Sequence, residues 1–180
     1  MNTYLSLLRG INVSGQKKVP MAELKKLYES LKFDAVKTYI QSGNVIFQSK
    51  DKIETLSPKI EKQIFKIFQF EVPVIHKTAA DLERTLNENP FLKESDLQEN
   101  KLYVVFLFEE PDKELVEKMQ VYQTLSDRFA IIGTNVYLYC PDGYGNSKLN
   151  NNFFENKLKV KGTTRNWRSV NELHKLMLSQ

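Results

Sequence analysis

Arg9, Asn12, Lys17 and Lys18 follow directly on an apolar run that ends at Leu8. Gln41, Ser42 and Asn44 sit at the end of a second apolar segment, and Thr164, Arg165 and Asn166 precede the last helical pattern of the chain. The chemistry this set offers is anion recognition. A guanidinium presents a planar fork of donors suited to phosphate or carboxylate, lysines add charge, and glycines let backbone N–H groups approach an anion. Gly10, Gly15 and Gly43 stand among these residues. A plainer reading is that the glycines supply turn geometry while Asn and Ser bond the local backbone. The segment from Asp142 to Lys148 is a third glycine-containing loop, placed before a helical pattern where phosphate binds in other proteins. It lacks the P-loop spacing, and Asn146 or Ser147 reads equally as a helix cap.

The inventory for catalysis is poor. His76 and His174 lie outside any nucleophile signature, and with Cys140 they give no metal-ligand spacing. No metal and no cofactor is expected. Cys140 ends the apolar run from Val136, which reads as a packed thiol.

The elements that must position these side chains come from hydrophobic periodicity. Tyr4 to Leu8 reads as a strand, and Pro20 opens a helix carrying Met21, Leu24, Leu27, Tyr28 and Leu31. Val36 to Ile40 and Val45 to Phe47 form a hairpin around Gln-Ser-Gly-Asn. Leu56, Ile60, Ile64, Ile67 and Phe68 make a helix started by Ser57-Pro58, and Val72 to Ile75 is a strand. That order, β-α-β-β-α-β, is the ferredoxin-like plait. A helix over about 79–86 follows, and the pattern then restarts. Leu102 to Phe108 is a strand, 112–119 a helix, and 129–132 with 136–139 a hairpin. A helix then runs over about 147–158. The second half closes on a helix with Trp167, Val170 and Leu173 on its apolar face, in place of an obvious last strand. The expectation is an α+β protein of two tandem ferredoxin-like halves, 1–77 and 101–180, joined by a linking helix and loop over 78–100.

In such a plait the loop after the first strand and the hairpin between strands two and three share one sheet edge, so Arg9, Asn12, Lys17 and Lys18 are expected to meet Gln41, Ser42 and Asn44. The strands Tyr4 to Leu8 and Leu102 to Phe108 are apolar on both faces and call for cover on both sides. Sheet-face RNA binding is therefore disfavoured. Tyr4 and Phe47 are the available aromatics, but the segment after Gly43 lacks the basic-aromatic signature of that class.

The 180-residue chain carries 26 Lys/Arg and 22 Asp/Glu, and the excess is unevenly placed. Residues 1–50 hold eight basic and three acidic side chains (net +5), and residues 128–180 the same. Residues 91–127 hold four and nine (net −5). The basic stretches contain the polar motifs, which points to an anionic partner. The first apolar stretch is too short for a signal peptide, no membrane span is present, and a single cysteine fits a reducing cytoplasm.

Several motifs recur together in one family: Leu7-Leu8-Arg9-Gly10-Ile11-Asn12-Val13, Val19-Pro20-Met21, Thr38-Tyr39-Ile40-Gln41-Ser42-Gly43-Asn44-Val45, Asn89-Pro90-Phe91, Ser147-Lys148-Leu149 and Thr163-Thr164-Arg165-Asn166-Trp167. In these the chain resembles the bacterial proteins grouped as domain of unknown function 1697, over nearly its whole length. Ser14 departs from the glycine expected beside Gly15. The resemblance implies a bacterial protein with two ferredoxin-like halves, and it brings no substrate, cofactor or catalytic residue. The leading expectation is a cytoplasmic binding protein for a phosphate-bearing ligand, nucleic acid or nucleotide. Two alternatives stand beside it: a small cofactor-independent enzyme acting on an anionic small molecule, and a protein-interaction module that uses the acidic stretch.

Overall fold

A computed structural model, described over residues 1–123 and 126–180, has eight strands and six α-helices among those residues. The protein is mixed α+β, with two four-stranded antiparallel sheets. The chain divides into two compact units, Met1–Glu83 with Leu173–Gln180, and Arg84–Glu172. That division cuts inside the helix Ala79–Asn87, within the segment expected to link the halves, and assigns the end of the last helix to the first unit.

In the first unit, β1 (Asn2–Leu8), α1 (Met21–Ser30), β2 (Asp34–Tyr39), β3 (Asn44–Ser49), α2 (Ile53–Phe68) and β4 (Val74–Lys77) build a sheet of order β2-β3-β1-β4. Tyr4, Leu8, Val45 and Phe47 pack with Leu24, Leu27 and Tyr28 of α1 and Leu56, Ile60 and Ile64 of α2. Leu5, Leu7 and Ile46 point from the other face and are equally withdrawn from solvent. Tyr4 and Phe47 are thus core residues, not an open aromatic platform. The Phe47 ring lies 4.6 Å from that of Phe33 and 5.3 Å from that of Tyr28.

The second unit repeats the plan with β5 (Leu102–Leu107), α4 (Lys113–Lys118), β6 (Arg128–Ile132), β7 (Asn135–Tyr139), α5 (Asn151–Leu158) and β8 (Gly162–Asn166), in the order β6-β7-β5-β8. Between the two runs lies α3 (Ala79–Asn87), opened by a reciprocal cap in which Thr78 N–H donates to Asp81 and Asp81 N–H to Thr78 Oγ1. The final helix is α6 (Trp167–Leu178), capped by Asn166, whose Oδ1 accepts from Ser169 N at 2.8 Å. Trp167, Val170, Leu173 and Met177 are its buried stripe.

Three local expectations need correction. The second half does have a last strand: β8 pairs with β5 from Tyr103↔Asn166 to Leu107↔Gly162. Its polar sequence hides the apolar alternation by which strands are recognised, although two β-branched threonines favour one. Gly162 starts it because a Cβ there would stand 2.9 Å from Val105 Cγ1. α2 begins at Ile53, so Pro58 lies inside the helix instead of opening it. α5 begins at Asn151, capped by Asn150, so the loop from Asp142 does not lead straight into a helix N-terminus.

The repeat is sharper in hydrogen bonds than in sequence. Asn44 lies opposite Leu7 and Asn135 opposite Phe106, at matching sheet positions. Each unit also protects the first residue of its last strand with two side chains four apart on the preceding helix. Val74 N–H donates to Glu61 (2.8 Å) while its carbonyl accepts from Ser57 (2.9 Å). Gly162 N–H donates to Glu155 (2.8 Å) while its carbonyl accepts from Asn151 (3.0 Å). These pairs occupy backbone groups that an edge strand otherwise offers to another chain.

Candidate functional site

β1 of the first unit ends between two anchors. Leu8 N–H donates to Gly43 O at 2.8 Å and Arg9 N–H to Pro73 O at 2.9 Å. This ties the strand end to the β2–β3 turn on one side and the α2–β4 connection on the other. The loop that follows is dense in left-handed backbone: Gly10, Asn12, Ser14, Gly15 and Lys17 all have positive φ. Asn tolerates that conformation better than most residues. Asn12 N–H bonds Lys17 O and Gln16 N–H bonds Val13 O, folding the segment into a miniature hairpin.

The side chain of Asn12 fastens this hairpin to the sheet. Its Oδ1 accepts from Val19 N (2.8 Å), and its Nδ2 donates to Val19 O (3.0 Å) and Gln41 O (2.9 Å). Lys17 Nζ reaches Glu71 O at 2.7 Å. Asn44 is fully buried and donates to Tyr39 O and Ser42 Oγ, fixing the turn. Gly43 has φ +79°, and a Cβ on it would come within 2.7 Å of Ile11 Cδ1 and 2.8 Å of Leu8 Cβ, so that position requires glycine. Of the expected meeting between residues 9–18 and the β2–β3 turn, the contact seen is Asn12 with Gln41, while Lys17 reaches the α2–β4 connection. Asn12 and Asn44 are fasteners, however, while Lys18 and Gln41 are exposed and Arg9, Lys17 and Ser42 half-buried. No side chain caps α1, whose first turn follows Pro20 at this edge.

Thr164, Arg165 and Asn166 belong to the second unit and lie on β8. Arg165 is buried, and burial lowers its guanidinium to about 10. It donates to Thr163 Oγ1 (2.8 Å) and Thr164 O (2.9 Å). Thr164 Oγ1 donates to Asn151 Oδ1 and pairs with the Tyr144 hydroxyl at 3.0 Å. Arg165 thus bonds along its own strand, while Thr164 ties β8 to Tyr144 and to Asn151 of α5.

A buried polar group in the first unit escaped sequence reading. Ser6 Oγ and His76 Nδ1 are 3.1 Å apart beneath α1, and His76 Nε2 is buried with no partner among the described residues. Burial lowers the His76 imidazole to about 4. Burial raises the Tyr28 phenol, partly offset by nearby Ser6, although its oxygen makes no hydrogen bond of good geometry. The available signal was a serine inside the apolar run Tyr4 to Leu8. Cys140 is buried as expected, and burial pushes its thiol up, away from nucleophile chemistry. Among the described residues no cluster of His, Cys, Asp or Glu is arranged to hold a metal, and no helix is long and apolar enough to cross a membrane.

A duplicated antiparallel α+β architecture with a braced polar loop on its first unit is the class these features define. The chain belongs to the family described as protein of unknown function DUF1697, whose model matches residues 1–137. Among solved structures it is similar to the conserved bacterial protein SP0830 from Streptococcus pneumoniae. The two are 23% identical, the match covers 97% of this chain and 98% of that one, and the TM-score is 0.74. That likeness is one of fold. No curated protein matches the chain.

Proposed function

We propose that both units are ferredoxin-like and that the first binds a phosphate-bearing ligand, nucleic acid or nucleotide, in a bacterial cytoplasm. The element order and the 2-3-1-4 strand order in each unit support the first part. The second part is carried by the loop over residues 9–19. At the same point of the second unit, Phe108 replaces Arg9, its N–H bonding Lys161 O as Arg9 N–H bonds Pro73 O, and only a short connection leads to α4. The duplicated frame therefore needs neither the long loop nor its cations to fold. Charge agrees. The first unit holds fourteen Lys/Arg and nine Asp/Glu (net +5), the second twelve and thirteen (net −1). Arg9, Lys17 and Lys18 supply the charge, Gln41 and Ser42 supply polar contacts, and Asn12 positions the loop.

The test is fluorescence anisotropy with a labelled mixed-sequence oligonucleotide, alongside thermal shifts with nucleoside mono- and triphosphates. With about three phosphates contacted, log affinity should fall against log salt with a slope of roughly −2 to −3. The R9A/K17A/K18A variant should lose at least about tenfold affinity, the equivalent of about 1.4 kcal/mol. Flat anisotropy at low salt together with no nucleotide-induced shift overturns the proposal.

A further inference from the structure

β6 is an edge strand of the second sheet, joined to β7 by the two-residue turn Gly133-Thr134. In a hairpin of that length the residues flanking the turn, Ile132 and Asn135, exchange both hydrogen bonds. Arg128 and Ala130 then also bond inward, and Phe129 and Ile131 direct their backbone groups outward. The side chain of Gln123 confirms the direction. Its Nε2 donates to Phe129 O at 2.7 Å and its Oε1 accepts from Phe129 N at 3.3 Å. A side-chain amide thus sits where the backbone amide of an added strand would sit. At Ile131 no described residue hydrogen-bonds the outward N–H and C=O.

Beside Ile131 a cavity of about 250 Å³ opens, walled by Pro111, Val116 and Ile131 and rimmed by Glu110 and Glu117, with Lys113 the one cation. Neither glutamate is in an ion pair among the described residues. The surrounding stretch over residues 109–118 holds five acidic side chains against two lysines. The other edges are treated differently: β4 and β8 have their first residues protected by α2 and α5, and β2 is broken by a register shift between Asp34 and Lys37.

We propose that the β6 edge takes up an extended segment of a partner protein in which an apolar residue has lysine or arginine two positions before and two positions after it. The segment's backbone pairs with Ile131 and displaces the Gln123 amide to pair with Phe129. One apolar side chain, opposite Ile131, enters the cavity, and the basic residues two positions before and after it, which share its face of the strand, meet Glu110 and Glu117. The surface lies on the second unit and does not depend on the anion site.

The test uses the full chain and a fluorescein-labelled peptide Thr-Lys-Thr-Val-Thr-Lys-Thr, whose valine and two lysines share one face when extended. Controls are the same peptide N-methylated at alternate backbone nitrogens and a version with glutamate in place of both lysines. The unmodified peptide should bind. N-methylation should cost at least about tenfold, as should E110K/E117K, and the glutamate version should not bind. Q123A should tighten binding several-fold by removing the competing amide. I131P deletes the outward N–H without touching the β6–β7 ladder, and when circular dichroism shows it folded it should bind at least about tenfold more weakly. No binding of the lysine peptide, equal binding of the N-methylated peptide, or an unchanged Q123A variant overturns strand addition.

Discussion

Asn12 makes three hydrogen bonds from one side chain while holding a left-handed backbone, so its two contributions are separable by substitution. N12G removes the bonds but suits the conformation, and should cost about 2 kcal/mol at roughly 1 kcal/mol per net bond less compensation by water. N12A adds the left-handed penalty and should cost about 1 kcal/mol more. Urea unfolding of both variants measures this, and an N12G protein as stable as the wild type would refute the bracing role. His76 gives a pH dependence. Its folded pKa of about 4 lies below the ordinary 6.5, so the folded state holds the neutral imidazole and the unfolded state takes up the proton first. The contribution is complete above about pH 6.5 and falls as pH drops toward 4, by about 3 kcal/mol in all. H76Q does not titrate, so denaturation at pH 7 and pH 4 should show a smaller acid loss than in the wild type. Equal losses count against the buried neutral histidine.

At the scale of elements, the protection of β4 and β8 by helix side chains is the most specific device in the fold. E61A leaves the Val74 N–H without its charged acceptor and should cost about 1–2 kcal/mol. Amide exchange at Val74 should quicken more than at residues of the strand centre, and uniform acceleration would show global loss instead. Apolar runs between turn residues located β1 to β7, several of them buried on both faces, and helical spacing located the buried faces of α1, α2 and α6, although Ile67, expected on the α2 face, is 46% exposed. β8 was invisible for the opposite reason, its alternation being between threonine, arginine and asparagine held in polar networks. The paired guards were illegible too. Ser57 with Glu61 and Asn151 with Glu155 share a spacing of four and a role, and no residue type. For the proposed site, sequence anticipated that the loop after β1 meets the β2–β3 turn, as Asn12 does at Gln41, but not the division between bracing and surface residues. Which Asn binds backbone and which cation stays at the surface depends on the left-handed turns between them.

Over the whole molecule, the two units share an element order and a strand order but differ in charge. The basic excess lies in the first, and the acidic stretch over residues 91–127 lies in the second. The glycine at position 43 belongs to this scale as well, because it lets the loop and hairpin close on each other. G43A meets both a left-handed backbone and two contacts under 3 Å, and should cost more than about 2 kcal/mol while weakening oligonucleotide binding in parallel. A G43A protein of normal stability would show that the closure is not needed. The guarded strand ends, finally, bear on how the protein behaves in a crowded solution. A chain lacking Glu155 keeps most of its packing but exposes a short recruiting edge, so E155A should turn turbid under mild heating at protein concentrations where the wild type stays clear. Light scattering that rises with concentration before circular dichroism records any unfolding is the expected signature, which makes these glutamates guardians of solubility as much as of shape.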